Sequence, residues 1–331
     1  MADPTLTLAW LLLAHLLAYF VFQTDRIAFA KAAPGFRAWY GLAAHGAVVA
    51  TLLAPFALAF GAPGASVLLV TAVSHALIDR AKILLSRRAE ARALRVARRM
   101  HESPVSGILG TGWTPVPAAL FALDQVVHLA IAGLVWAIWL SGVAPTAGWR
   151  EAVDGLLGTW DRGVVHAVVL GGLVVASLAI ANIRGAAFFV EALVHPRQTA
   201  ASMSGIPADA HASPSDPLPT AAAPRAAPPR FPGSDVPPPR SVSTTLVTRP
   251  PSPERVGATI GVLERLLIVT FILTDNQVAI GFVIAAKTIA RFKQLDDRDF
   301  AEYYLLGTLA SVSAAIATGL LAAAALGTIP R

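Results

Sequence analysis

Ser74-His75-Ala76-Leu77-Ile78-Asp79-Arg80-Ala81-Lys82 sets an imidazole, a carboxylate and an amine inside an apolar run that extends over residues 66–85. In a helix, residues 75, 79 and 82 stand at i, i+4 and i+7 and share one face. An apolar run of this length reads as a membrane span, in which ionisable side chains avoid lipid and turn toward partners on neighbouring helices. The stretch therefore predicts a polytopic, all-α bundle organised around a polar site within the membrane.

Composition agrees. Of 331 residues 55% are hydrophobic and 14% charged, and the mean hydropathy is +0.62, more apolar chain than a soluble core requires. A net charge of +6 would suit nucleic acid, but Lys and Arg gather at the ends of the apolar runs. That is the positive-inside pattern, so the charge is read as topology and no nucleic-acid partner is expected beside the lipid bilayer. The absence of cysteine excludes disulfides, Cys-ligated zinc and thiolate nucleophiles.

Working outward from residues 66–85, apolar runs at 6–23, 40–61, 118–141, 164–190, 256–273, 278–291 and 303–326 bring the expected spans to about eight. Ala28-Phe29-Ala30 resembles a signal-peptide cleavage site, but no basic segment precedes the first run, which is read as a retained helix. Arg87, Arg88, Arg92, Arg95, Arg98 and Arg99 suit a basic helix on the cytoplasmic membrane surface or a solvated extension of the third span. Residues 142–163 carry balanced charge and read as an outer loop. From 196 to 255 the composition turns to Pro, Ala, Ser and Arg, a disordered cytoplasmic linker that acts as a spacer or recruits a partner protein. The chain divides into an N-terminal bundle 1–195, this linker, and C-terminal spans 256–331. Loops 24–39, 86–116, 191–255 and 292–302 hold nearly all the basic residues and are placed in the cytoplasm.

Threaded this way, the polar residues of the spans cluster toward one leaflet. Gln23, His45, Asp79, Lys82, Asp124, Gln125 and His128 fall there, as do Glu264, Arg265, Lys287, Arg291 and Glu302, while His15, His75 and His166 lie deeper or outward. His75 and Asp79 are one helical turn apart; Asp124 and His128 repeat the spacing in reverse order. Two such pairs facing each other would give four ligands to a zinc-like divalent cation. No His-Glu-x-x-His is present to indicate a metalloprotease. Two other uses of the same residues stay open. One is interhelical ion pairing, Asp79 with Lys82 or Arg80 and Glu264 with Lys287 or Arg291. The other is a proton or ion path.

These motifs resemble those of a bacterial membrane-protein family, the domain of unknown function 3307. The resembling residues are His15-Leu16-Leu17-Ala18-Tyr19-Phe20-Val21-Phe22-Gln23, a lone His45, the run from His75 to Lys82, and Asp124-Gln125-Val126-Val127-His128, over residues 10–140. Segments Gly261-Val262-Leu263-Glu264-Arg265, Ala285-Ala286-Lys287 and Glu302 to Thr308 look like those of longer members. Where the family's first helix is expected to carry an aspartate, this chain has Tyr19, which removes one candidate ligand in favour of a hydrogen-bonding group. The resemblance implies a multi-pass protein of a bacterial inner membrane and no particular activity.

The sequence thus predicts a site opening to the cytoplasm, in which His75, Asp79, Asp124 and His128 hold a divalent metal and His15 or His45 completes the shell. Asp79, Asp124, Lys82 and Gln125 are the candidate catalytic groups, with Lys82 and Gln125 orienting a ligand. Gln23, Glu264, Arg265, Lys287, Arg291 and Glu302 are candidates for structural or gating roles. Metal-assisted hydrolysis, ion-coupled transport and a scaffold acting through the linker are the three functions that fit, and a homo-oligomer is compatible with each.

Overall fold

The computed structural model describes residues 3–100, 114–194 and 253–327, which fold into helices with no strand among them. Helix α1 (Pro4–Leu16) runs into a π turn at Leu17–Val21 and is followed by short α2 (Asp25–Ala32), long α3 (Phe36–Phe60) and α4 (Ala62–Met100). Then come α5 (Val116–Trp139), α6 (Ala147–Leu157), α7 (Arg162–Ile180), a second π turn at Ala181–Gly185, and α8 (Ala186–Val194). The C-terminal part holds α9 (Pro253–Leu273), α10 (Ala279–Ala290) and α11 (Arg298–Leu326).

Local chemistry sets the boundaries. Asp3 caps α1 by accepting from the Thr5 and Leu6 amides, with Pro4 in the first turn. Thr24, Thr146, Asp161 and Asp297 cap α2, α6, α7 and α11 in the same way. Gly61, at φ +62°, takes the left-handed turn that folds α4 back along α3.

Six described helices are long and apolar enough to cross a membrane: Pro4–Val21, Phe36–Phe60, Val116–Trp139, Arg162–Val194, Val256–Leu273 and Arg298–Leu326. Their surfaces carry exposed Leu58, Val126, Ile138, Val168 and Leu321, while histidines and carboxylates are buried. Apolar outside and polar within is the arrangement of a multi-pass membrane protein.

Three expectations change in detail. Six described helices qualify as spans against the about eight expected; the runs 66–85, inside α4, and 278–291 are not among them. The 278–291 run forms only the twelve-residue α10, roughly 18 Å of helix against a hydrocarbon layer of about 30 Å. The arginine-rich segment is no separate surface helix, because α4 continues unbroken through it to Met100. Residues 142–163 are not merely a loop, since Thr146 and Gly158 bracket α6. The linker 196–255 lies almost wholly outside the described residues.

Two apolar cores hold the bundle. One joins α1, α3, α4 and α5 through Leu11, Val49, Leu53, Phe56, Val67 and Val135. The other joins α7, α9 and α11 through Leu170, Val174, Ile268, Ile272 and Ala315. Trp136 donates to Thr7 at 2.9 Å and Trp10 to the Leu52 carbonyl at 3.1 Å, so both indoles serve as polar ties between α1 and its neighbours.

Candidate functional site

Five helices deliver the polar side chains to one place inside the first core. His15 comes from α1, Tyr19 from the π turn that follows it, and Lys31 from α2. His45 is on α3, His75, Asp79 and Lys82 on α4, and Asp124, Gln125 and His128 on α5. His45 and Asp79 are wholly buried, and Lys31, His75, Asp124 and His128 nearly so. The π turn inserts an extra residue into the helical repeat after His15. His15 and Tyr19, four residues apart, are both buried, their rings 5.9 Å apart.

The two carboxylates are each met by an amine. Asp79 Oδ2 accepts from Lys31 Nζ at 2.7 Å, and Lys31 also donates to Gln23 Oε1. Burial holds the Lys31 amine below its ordinary pKa, with the Asp79 carboxylate opposing that shift. Asp124 Oδ2 accepts from Lys82 Nζ at 3.1 Å, Tyr19 OH at 3.0 Å and Gln125 Nε2 at 3.1 Å. Lys82 also donates to the Tyr19 hydroxyl and lies 4.0 Å from Asp79 Oδ1. The inner oxygens, Asp79 Oδ1 and Asp124 Oδ1, are buried without a hydrogen-bond partner.

The imidazoles are arranged around these oxygens. His128 Nδ1 lies 2.8 Å from the Asp124 backbone carbonyl. A carbonyl can only accept, so Nδ1 is the donor, and Nε2 is buried without a hydrogen-bond partner. Metal-ligating histidines commonly make this bond on the nitrogen away from the ion. His45 and His75 share a hydrogen bond between their Nε2 atoms at 2.9 Å, leaving His45 Nδ1 unpartnered. His15 Nε2 meets Gln125 Oε1 at 3.1 Å. The His75 ring lies 4.1 Å from His128 and 5.4 Å from His15, centre to centre.

Ligand atoms from Asp79, Asp124 and His128 lie within 4.8 Å of one another, and so do those from His45, His75 and Asp79. The two triads share Asp79. Beside them is a small cavity of about 20 Å³ lined by His15, His75 and His128 with Thr71, Ser74, Leu11 and Leu53, room for one water molecule.

The four residues of the predicted pairs fall into these two overlapping triads rather than one set, with His45 in the triad of His75; His15 packs its ring against His75 and His128, and Lys82 and Gln125 contact Asp124 directly. Lys31 was not among the predicted site residues, its charge having been assigned to topology. The weak signal was its position as a lone charge within Ile27-Ala28-Phe29-Ala30-Lys31-Ala32-Ala33. Gln23 joins the site through Lys31.

The other gate candidates lie elsewhere. Glu264 and Lys287 pair at 2.6 Å between α9 and α10. Arg291 bonds Gln294, and Glu302 pairs with Arg298 on its own helix. Arg265 is buried away from them, donating to the Asn182 carbonyl at 2.7 Å and to Ser311 Oγ at 3.0 Å. Asn182, which also bonds Thr318, stands in the second π turn, where an α-helical bond is released and a carbonyl becomes available.

Residues 7–151 match the family model described as a protein of unknown function, DUF3307. The match covers under half of the chain. It contains every side chain of the polar cluster, from His15 to His128. The knot of Asn182, Arg265, Ser311 and Thr318 lies outside it. No curated protein and no solved structure matches the chain.

Proposed function

We propose that the matched region binds a divalent cation between Asp79, Asp124 and His128, and that the chain is an inner-membrane, metal-dependent hydrolase acting on a membrane-associated substrate at the cytoplasmic side. The carrying observation is the set of three buried polar atoms without a hydrogen-bond partner, Asp79 Oδ1, Asp124 Oδ1 and His128 Nε2, on residues that approach one another closely; Lys82 Nζ at 4.0 Å from Asp79 Oδ1 and His128 Nδ1 at 3.4 Å from Asp124 Oδ1 are ion-pair neighbours outside hydrogen-bond geometry. Buried acceptors left unpaired are costly, and a cation shared by all three removes the cost. Nitrogen and carboxylate ligands in a compact set suit zinc or a similar ion. His75 and His45 stand ready to extend the shell across the shared Asp79. A bound ion of this kind supplies Lewis acidity and an activated water. The chain's own residues orient the ligands: Lys31 fixes Asp79, while Lys82, Tyr19 and Gln125 fix Asp124.

Metal analysis of the purified full-length protein, after incubation with Zn²⁺ and removal of excess, tests the reading. About one ion per chain is expected, lost on Asp124→Ala or His128→Ala with the protein still folded by circular dichroism. A folded parent without stoichiometric metal overturns it.

A second reading is favoured by the continuity of the polar groups. Gln23, Lys31, Asp79, Lys82 and Asp124 follow one another in contact, a chain suited to proton or ion movement. Proteoliposomes showing pH-driven flux that Asp79→Asn abolishes, without bound metal, would favour transport. Recruitment of a partner by the linker is compatible with either activity, and excising the linker would cost the partner but not the activity.

A further inference from the structure

We infer that α6 is an interfacial anchor, with Ala152, Leu156 and the following Trp160 seated in the headgroup layer of the bilayer surface at which α3 ends. The sequence of α6 sorts its side chains into three strips. Trp149, Val153 and Leu157, at i, i+4 and i+8, are half-buried, and Trp149 packs on the first core. Arg150, Glu151 and Asp154 form an exposed polar strip, with Asp154 paired to Arg162 at 2.9 Å. Ala152 and Leu156, one turn apart, lie across the helix from these charges and are exposed, Leu156 at 85%. Trp160, just past the cap at Gly158, is 71% exposed.

Ties at both ends fix α6 at the level where the spans stop. At its start the Thr146 amide donates to the carbonyl of Ala59, in the last turn of α3, at 2.8 Å. Lys31 packs at the opposite end of α3, beside Gly41. At its finish only residues 158–161 separate α6 from α7, about 14 Å of chain at full stretch, and the Asp154–Arg162 pair bridges that gap. Both α3 and α7 belong to helices long and apolar enough to cross the membrane. An eleven-residue helix, about 16 Å long, held at each end to the mouth of a span runs along the membrane surface rather than away from it.

Leucine and tryptophan left in water at this level are disfavoured, whereas the boundary between headgroups and acyl chains takes an apolar helix edge to a depth of about 5–10 Å and favours tryptophan. The charges define which feature of the lipid is recognised. Arg150 and Arg162 stand against Glu151, Asp154 and Asp161, so nothing on this segment selects an anionic headgroup. The partner is the apolar boundary itself, common to lipids of any headgroup charge.

The chain has no cysteine, so single cysteines introduced into the full-length protein can be nitroxide-labelled one at a time in phosphatidylcholine nanodiscs. Labels on Leu156→Cys and Trp160→Cys are expected about 5–10 Å below the headgroups, relaxed more by dissolved oxygen than by a water-soluble nickel chelate. Glu151→Cys is expected to show the reverse. Ala152→Cys, on the same edge as Leu156, stands in for either variant that does not fold. The same contrast is expected when phosphatidylglycerol is added. Labels on the apolar edge as open to nickel as the one on Glu151→Cys overturn the inference, and so does a contrast that appears only with the anionic lipid. Edge labels that are immobilised and reached by neither reagent also overturn it, and assign the surface to protein, such as a second copy of the chain.

Discussion

Tyr19 shows how a single side chain sets the character of the site. A carboxylate at this position would place a third negative charge beside Asp79 and Asp124, whereas the phenol donates to Asp124 and accepts from Lys82. The ring keeps Asp124 fixed without competing for a cation. Tyr19→Phe removes one buried hydrogen bond from Asp124 and is expected to lower stability by about 1 kcal/mol, measured as a reduced melting temperature in detergent. Tyr19→Asp should behave differently. Without metal it adds a buried charge and destabilises, but with Zn²⁺ the new carboxylate becomes a ligand and the melting temperature recovers by mass action. A Tyr19→Asp protein that melts at the same temperature with and without Zn²⁺ would count against the metal reading.

At the level of elements, the close contact between α2 and α3 decides whether Lys31 reaches Asp79. A Cβ on Gly41 would lie 2.4 Å from the Lys31 backbone nitrogen and 2.7 Å from the Ala30 carbonyl carbon. Gly41→Ala must therefore push α2 outward, at a cost of about 2 kcal/mol. Faster hydrogen exchange in α2, with α3 and α4 unchanged, is the expected readout. The opposite end of α1 is tied by its cap. Burial pushes the Asp3 carboxyl up, but the Thr5 amide, the His166 ring and the Leu6 amide outweigh it and hold the group below its ordinary pKa. A depressed carboxyl stabilises the fold above its unfolded value, about 3.9, and loses that contribution as pH falls through the folded value. Asp3→Ala should cost about 1 kcal/mol at neutral pH, and the difference from the parent should fade below about pH 4 in thermal melts taken across pH.

Across the whole molecule, the polar cluster and the C-terminal helices are separate units of chemistry joined by packing. Every cluster residue lies within the matched residues 7–151, whereas Arg265 ties α9 to Asn182 on the α7–α8 helix and to Ser311 on α11. Arg265→Leu strands two buried acceptors and should lower the melting temperature by an amount equivalent to about 2 kcal/mol, with metal stoichiometry unchanged. Excision of residues 196–252 should likewise leave metal content unaltered, because all proposed ligands lie between His15 and His128. Loss of metal on excision would place part of the site in that segment.

The sequence by itself determined the membrane character and the candidate polar residues. Length, apolarity and charge placement are local properties, and His75, Asp79, Asp124 and His128 announce themselves by one-turn spacing within apolar runs. It overstated the spans, since an apolar run such as 278–291 says nothing of where its helix stops. Tertiary structure alone decided that His15 and His45 both pack against His75, that Lys31 leaves the basic loop to pair with Asp79, and that Arg265 turns away from Glu264. The physical reason is that these are contacts between helices. A π turn after His15 and a glycine at the α2–α3 crossing set the rotation and approach of whole elements, and neither leaves a periodic trace in the chain.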